Sequence, residues 1–162
     1  MEKAKEIIDD LEADVVMYNE HRMNLKHKQN KNGMNQMLNG GDSDVRSVVA
    51  HNVHESKCGK TQQGGTSALL YGPLTEQHDF KASGKDPTGL GRRISIVLRG
   101  EDGITLSLVC GYNTCASSKK TIRSSYHRRY LLKKEIDTTC PRTRFKEDLL
   151  SQLTKWRKMG NV

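Results

Sequence analysis

The stretch ISIVLRGEDGITLSLVC, residues 94–110, decides the fold because it predicts a β-hairpin. On each side of GEDG, residues 100–103, apolar side chains recur at every second position, which is the period of a strand that buries one face. GEDG itself combines glycines with acidic residues, which is typical of a tight turn between strands. We therefore expect two strands here, joined by a short turn.

Further elements are predicted on the N-terminal side of the hairpin. Residues 3–12 place apolar side chains on one face of a helix, and an apolar strand follows at residues 15–18. Because the connection between them is short, we expect this helix to pack beside the strand. Residues 45–53 and 66–71 predict two more strands, and the second is entered through two consecutive glycines.

The remaining segments are predicted as polar loops or helices. Residues 24–44 and 76–92 are rich in polar residues, glycine and proline, so we expect polar loops there. Residues 116–138 are basic, and we expect them to be partly helical. A long helix is predicted to begin at Pro141, a residue that suits a first helical turn. Apolar side chains follow it at helical spacing: Phe145, Leu149, Leu153 and Trp156.

The order of these elements predicts the fold class. Strands occur in a block with helices at both ends, which is typical of an α+β domain whose helices cover a mixed sheet. A length of 162 residues suits one domain, so we expect a single domain over residues 1–162. The first helix has no strand before it and the last has none after it. We therefore expect this domain to be incomplete, truncated at both ends.

Composition restricts the partners and the compartment. The net charge of +8 and the pI near 9.4 favour a polyanionic partner such as nucleic acid, although a basic charge is also compatible with a merely soluble protein. No apolar stretch approaches the ~20 residues of a membrane-spanning helix, and the N-terminus has no signal-peptide pattern. The four cysteines include no Cys-x-x-Cys pair, so we expect free thiols, no disulfide partner and an intracellular location, nuclear or cytoplasmic. The oligomeric state is not indicated.

Two short motifs suggest chemistry that their context does not support. HNVHE, residues 51–55, superficially resembles a zinc-protease motif. Those motifs are helical, however, and their glutamate has a different position relative to the two histidines. We expect strand and turn there instead. GLGR, residues 89–92, is too short for a phosphate-binding loop and is followed by no helix, so we expect an ordinary glycine turn.

Four segments, in this order and spacing, resemble the endonuclease/exonuclease/phosphatase superfamily, and within it the retroelement-associated endonucleases that are encoded beside reverse transcriptases. DVVMYNEHR, residues 14–22, resembles the strand that ends in the family's metal-binding glutamate. QGGTSALLYG, residues 63–72, resembles the next strand. ISIVLRGEDGITLSLVCGYNTC, residues 94–115, resembles the central hairpin that ends in a tyrosine. CPRTRFKEDLLSQLTKWRKMGN, residues 140–161, resembles the helix that leads into an Asp-x-Asn strand.

The resemblance implies a four-layer α/β sandwich and magnesium-dependent cleavage of phosphodiester bonds in nucleic acid. By this resemblance Glu20 is the metal ligand and Tyr112 is the catalytic-site tyrosine that hydrogen-bonds the phosphate. Asn113 stands in the loop that follows, where Thr114 replaces the family's usual proline. The Asp-x-Asn strand and the closing histidine of the family have no counterpart. We therefore expect a fragment of the nuclease domain, without turnover, that binds magnesium weakly or not at all.

Glu20 also has an interpretation from its residue type alone. Magnesium prefers few carboxylates together with waters, so one glutamate at a strand end could anchor it. The alternative is a solvated strand end with no chemical role. His21 is adjacent, but side chains of neighbouring strand residues point to opposite faces, so no general base is assigned.

Basic residues flank the hairpin and the segment after it. On one rim they would neutralise several phosphates and bind nucleic acid without sequence preference. The alternatives are an ordinary solvated face, a non-catalytic nucleic-acid-binding module, or an inactive truncated product derived from a retroelement. The residues predicted to contact nucleic acid are Arg92, Arg93, Asn113, Lys119, Lys120, Arg123, Arg128 and Arg129.

Overall fold

The computed structural model of this protein describes residues 2–25, 44–54, 64–113, 130 and 140–159. The chain forms two compact units, Met1–Tyr112 and Asn113–Val162. The first contains two antiparallel sheets of three strands each, and the second contains a long helix. The predicted α+β class is therefore confirmed.

The first sheet consists of β1 (Val15–Asn19), β2 (Val45–Ala50) and β3 (Thr66–Tyr71). Its strand order is β1-β3-β2, and both pairings are antiparallel. β3 is therefore the central strand, which explains why the backbone and side chains of its first five residues are buried. The strand predicted at residues 45–53 ends earlier, at Ala50, so residues 51–54 lie outside the sheet and the expected strand conformation of HNVHE is wrong there.

The second sheet contains the predicted hairpin. Its strands are β4 (Gly84–Lys85), β5 (Arg93–Arg99) and β6 (Thr105–Gly111), in the order β4-β5-β6. β5 and β6 pair in antiparallel register around the GEDG turn, as the alternating pattern predicts. β4 is a short strand inside residues 76–92, where only loop was expected.

The two sheets pack against each other through a common hydrophobic core. Alternate residues of each strand point to the opposing sheet, and burying each large aliphatic side chain contributes about 1.5–3 kcal/mol. The buried residues of this core are Val48, Ala50, Ala68, Leu70, Ile94, Ile96, Leu98 and Cys110. The face-to-face sheets position the strand ends that form the candidate site.

A short 3-10 helix at Gly72–Thr75 follows β3, and two α-helices have described bounds. α1 spans Glu2–Leu11, close to the predicted residues 3–12, but Ile7 and Leu11 remain 58% and 69% exposed. The expectation that this apolar face packs beside β1 is therefore wrong for these two side chains. α2 spans Pro141–Met159 and begins at the predicted proline. No helix among the described residues is long and apolar enough to cross a membrane.

Some predictions fall largely on undescribed parts of the chain. The polar loop at residues 24–44 is described only at its two ends, and of the basic segment at 116–138 only residue 130 is described. Cys110 and Cys140 have free thiols. The other two cysteines, Cys58 and Cys115, lie outside the described residues.

Candidate functional site

The ends of three strands meet at one edge of the first unit. Asn19, the last residue of β1, and Ala50, the last residue of β2, both pair with Thr66 at the start of β3. The thiol of Cys110 in β6 donates to Asn19 Oδ1 at 3.2 Å, which joins the end of β6 to the end of β1. Glu20 follows Asn19 directly. We call the group formed by Glu20, Gly64, Gly65 and Tyr112 the Glu20 edge; of these four residues only Glu20 is not buried.

Glu20 lies in a sharp backbone turn. Glu20 and Arg22 adopt φ angles of 55° and 54°, a left-handed conformation that is uncommon for residues with a side chain. Two hydrogen bonds hold this turn against the glycines before β3: His21 N–H donates to Gly65 O at 3.2 Å, and Arg22 N–H donates to Gly64 O at 3.0 Å. The strand end is therefore fixed by the neighbouring strand.

The carboxylate of Glu20 is accessible to a cation. Its side chain is 30% exposed, and Arg22 Nη2 lies 3.9 Å from Glu20 Oε2. Such an exposed pair at long distance contributes only ~0–1 kcal/mol and is screened by salt. Arg22 therefore competes weakly with any other cation for this carboxylate.

Gly64 and Gly65 allow two side chains to approach the backbone closely. Their φ angles of 89° and 102° lie in a region that favours glycine. A Cβ atom added at Gly65 would overlap the imidazole of His21, and one at Gly64 would lie 2.5 Å from the hydroxyl of Tyr112. The glycine pair thus brings the Glu20 turn and Tyr112, two sequence-predicted positions, to the same place.

His21 is held by hydrogen bonds at both ring nitrogens. Met23 N–H donates to Nδ1 at 3.1 Å, and since a carbonyl can only accept, Nε2–H donates to Ala50 O at 3.2 Å. Burial lowers the pKa of His21, the bond to Ala50 raises it in part, and the nearby His51 lowers it further. The neutral ring therefore has a structural role, because its two hydrogen bonds fix the turn. His21 is accordingly not assigned as a general base.

Tyr112 is buried and fixed through its backbone. Its side chain and main chain together are 9% exposed, and its N–H donates to Arg92 O at 3.0 Å. Asn113, the next residue, is half-buried. Thr114 lies outside the described residues.

Arg92 and Arg93, which were predicted to contact nucleic acid on an exposed rim, are buried instead. Arg92 is 2% exposed and Arg93 is 6% exposed, so neither lies on an open surface. The guanidinium of Arg92 instead forms an ion pair with Asp86, with Nε 3.2 Å from Oδ2. The other five predicted basic contacts lie outside the described residues: Lys119, Lys120, Arg123, Arg128 and Arg129.

Asp86 is the residue that sequence reasoning missed. Burial raises the pKa of its carboxyl, but the charge of Arg92, the Thr88 hydroxyl and the backbone N–H groups of Arg92 and Thr88 lower it by more, so the pKa lies below its usual value. Asp86 therefore stays ionised in the interior. The available signal was an aspartate and an arginine at the two ends of a proline- and glycine-containing turn.

The Glu20 edge offers few side chains that can bind a metal ion. Among the described residues there is no group of three or more His, Cys, Asp or Glu side chains that could hold a metal ion. A zinc site, which needs such a group, therefore does not fit these residues. A single accessible carboxylate does fit magnesium, because this ion keeps several waters and takes few protein ligands.

The Glu20 edge thus combines a partly exposed carboxylate, two glycines with positive φ angles, and a buried tyrosine. The function of this arrangement has to be inferred from its own residues. Comparison of the chain with protein-family models, with curated proteins and with solved structures finds no match.

Proposed function

We propose that the Glu20 edge is a phosphodiester site of the endonuclease/exonuclease/phosphatase type that acts on nucleic acid and uses magnesium. One observation carries this proposal: His21 and Arg22, the two residues after Glu20, donate hydrogen bonds to the Gly64–Gly65 dipeptide, against which the hydroxyl of Tyr112 also packs. A carboxylate and a phenol at one edge provide a cation ligand and a hydrogen-bond donor, the two groups that a phosphate ester needs for binding.

Each residue of the edge has a defined role in this proposal. Glu20 holds the magnesium ion, and the hydroxyl of Tyr112, which is buried against Gly64, has to be uncovered before it donates to a phosphate oxygen. Gly64 and Gly65 let Tyr112 and His21 pack against the backbone, because a side chain at either glycine would collide with them. When bound, magnesium polarises the phosphate and stabilises charge on the leaving oxygen. A single carboxylate predicts weak magnesium binding.

A second candidate is nucleic-acid binding without cleavage. It is favoured by the engagement of both His21 ring nitrogens in structural hydrogen bonds, which leaves this neighbour of Glu20 unable to act as a general base. The net charge of +8 supports binding of a polyanion by either candidate.

The two candidates are separated by incubating the chain with supercoiled plasmid in the presence and absence of magnesium. The first predicts magnesium-dependent nicking that is lost in Glu20→Gln and reduced in Tyr112→Phe. Glu101→Gln is the matched control, because it removes the same charge at an exposed position in the hairpin turn. Retention of DNA on a gel without nicking, and with a strong salt dependence, would support the second candidate. If the chain neither nicks the plasmid nor retains DNA on the gel, both candidates are refuted.

Magnesium binding can be followed without turnover. Titration with magnesium should shift the amide resonances of Gly64 and Gly65 in the wild type, because both glycines adjoin the Glu20 turn. The shifts should vanish in Glu20→Gln and persist in Glu101→Gln. Equal shifts in both variants would remove Glu20 as the ligand.

A further inference from the structure

We propose that Arg92 is a positioning residue of the Glu20 edge. Its buried ion pair with Asp86 rigidifies residues 86–92, which we call the 86–92 loop. This loop, the brace, holds the Gly64–Gly65 dipeptide and Tyr112 at a fixed spacing. The geometric part of this proposal is independent of catalysis. Its consequence for nucleic acid rests on the proposed function.

The 86–92 loop is closed by its own hydrogen bonds. Asp86 Oδ1 accepts from Thr88 N–H at 3.0 Å and from the Thr88 hydroxyl at 2.6 Å. Asp86 Oδ2 accepts from Arg92 N–H at 2.9 Å and from Arg92 Nε–H at 3.2 Å. Arg92 Nη2 donates to the Thr88 hydroxyl at 3.3 Å, so all three side chains form one network. The carboxylate thereby fixes both ends of the loop.

The outward carbonyls of this loop hold the candidate site. Gly91 O accepts from Gly65 N–H at 3.1 Å and from the Thr66 hydroxyl at 3.4 Å. Arg92 O accepts from Tyr112 N–H at 3.0 Å. Two consecutive carbonyls therefore set the spacing between the glycine that meets the Glu20 turn and the residue that carries the phenol.

The same loop also binds the segment that follows β2. Gly89 O accepts from Val53 N–H at 2.9 Å, and Thr88 O accepts from His54 Nε2–H at 2.7 Å. The loop thus joins the chain after β2, the start of β3 and the end of β6. These are three of the segments that meet at the Glu20 edge.

The buried state of the pair distinguishes positioning from contact with nucleic acid. The side chains of Arg92 and Asp86 are 2% and 1% exposed, so a phosphate cannot reach the guanidinium while the pair is intact. Removing one partner leaves a buried charge without compensation. Lysine does not replace arginine here, because a single ammonium group cannot make the bonds from Nε and Nη2 together.

Amide hydrogen exchange on the full chain tests the proposal. In Arg92→Lys and Asp86→Asn, the amides of Gly65 and Tyr112 should lose at least tenfold more protection than the amide of Ala68 in the centre of β3. Thr88→Val, which keeps both charges, should show the same pattern to a smaller extent and provides a folded variant if the others unfold. Arg99→Lys is the matched control, since its ion pair with Asp79 is at an exposed position.

Two outcomes would overturn the proposal. Equal loss of protection at Gly65, Tyr112 and Ala68 would mean that the pair stabilises the fold as a whole. Unchanged protection would mean that the brace is not needed.

Because exchange is measured without nucleic acid, a positive result stands even if no nicking is found. In a DNA-binding assay, Arg92→Lys should weaken binding without changing its salt dependence, whereas a direct phosphate contact would survive the exchange of one cation for another.

Discussion

The imidazole of His21 lies directly against the α-carbon of Gly65, with no space for a side chain between them. This contact ties the end of β1 to the start of β3, and the hydrogen bond from His21 Nε2 to Ala50 O extends the tie to β2. The packing of the Glu20 turn therefore depends on glycine at this position.

Replacement of Gly65 by alanine should destabilise the protein. The methyl group would displace the His21 ring, and the φ angle of 102° would add strain, which costs about 1–3 kcal/mol for such conformations. Urea denaturation measures the change in the free energy of unfolding. Gly72→Ala is the control, because Gly72 also has a positive φ of 54° but has nothing within 4 Å of an added Cβ. Equal losses in the two variants would contradict the role of the His21 contact.

His78 should make the stability of the fold sensitive to acid. Burial lowers the pKa of His78, the charge of Arg46 lowers it further, and Asp79 raises it in part. The unfolded state therefore binds the proton more tightly, so stability is complete above the unfolded pKa of about 6.5 and falls as the pH drops toward the folded pKa. Denaturation measured between pH 7.5 and 5 should show a weaker pH dependence in His78→Gln than in the wild type. If the pH dependence of stability is the same in the variant, His78 is excluded as a source of the acid sensitivity.

Removal of Arg22 should favour cation binding at Glu20. The two groups form a pair at 3.9 Å, and an exposed pair of this kind is worth ~0–1 kcal/mol, so Arg22→Gln should lower the half-saturating magnesium concentration about two- to fivefold. Magnesium titration followed at the Gly64 and Gly65 amides measures this. Arg46→Gln removes an exposed positive charge at the other end of β2 and should have little effect. A comparable shift in both variants would point to net charge as the cause.

Cys110 should resist alkylation in the native protein. Its thiol is buried in the core and donates to Asn19 Oδ1, and burial raises its pKa, so little thiolate is present. Cys140 is exposed and serves as the internal control. Peptide mapping after brief iodoacetamide treatment should find Cys140 modified well before Cys110, and denaturant should abolish the difference. Equal labelling without denaturant would mean that the end of β6 opens readily.

Local patterns in the sequence were sufficient for the longer strands, but not for β4 or for the end of β2. The hairpin at residues 94–110 and β3 follow from alternation and from turn residues, because these features depend on neighbours within a few positions. Periodicity also placed α1, but it could not show that Ile7 and Leu11 stay exposed, since this depends on what packs against the helix.

The candidate site was predicted only in part. The two residues after Glu20 and the hydroxyl of Tyr112 lie at the same glycines. The assignment of Glu20 and Tyr112 to one site rests on the resemblance and not on residue spacing. Arg92 was expected on an open rim because it is one of several basic residues that flank the hairpin. Its burial depends on Asp86, and the pairing forms only when the intervening turn folds.

The central position of β3 has a consequence for synthesis. Among the described strands, β1 and β2 both pair with β3 and not with each other, yet both precede it in the chain. During synthesis, these two apolar segments therefore have no partner in this sheet until β3 has been made. Pairing of β1 and β2 in this sheet has to wait for the later strand.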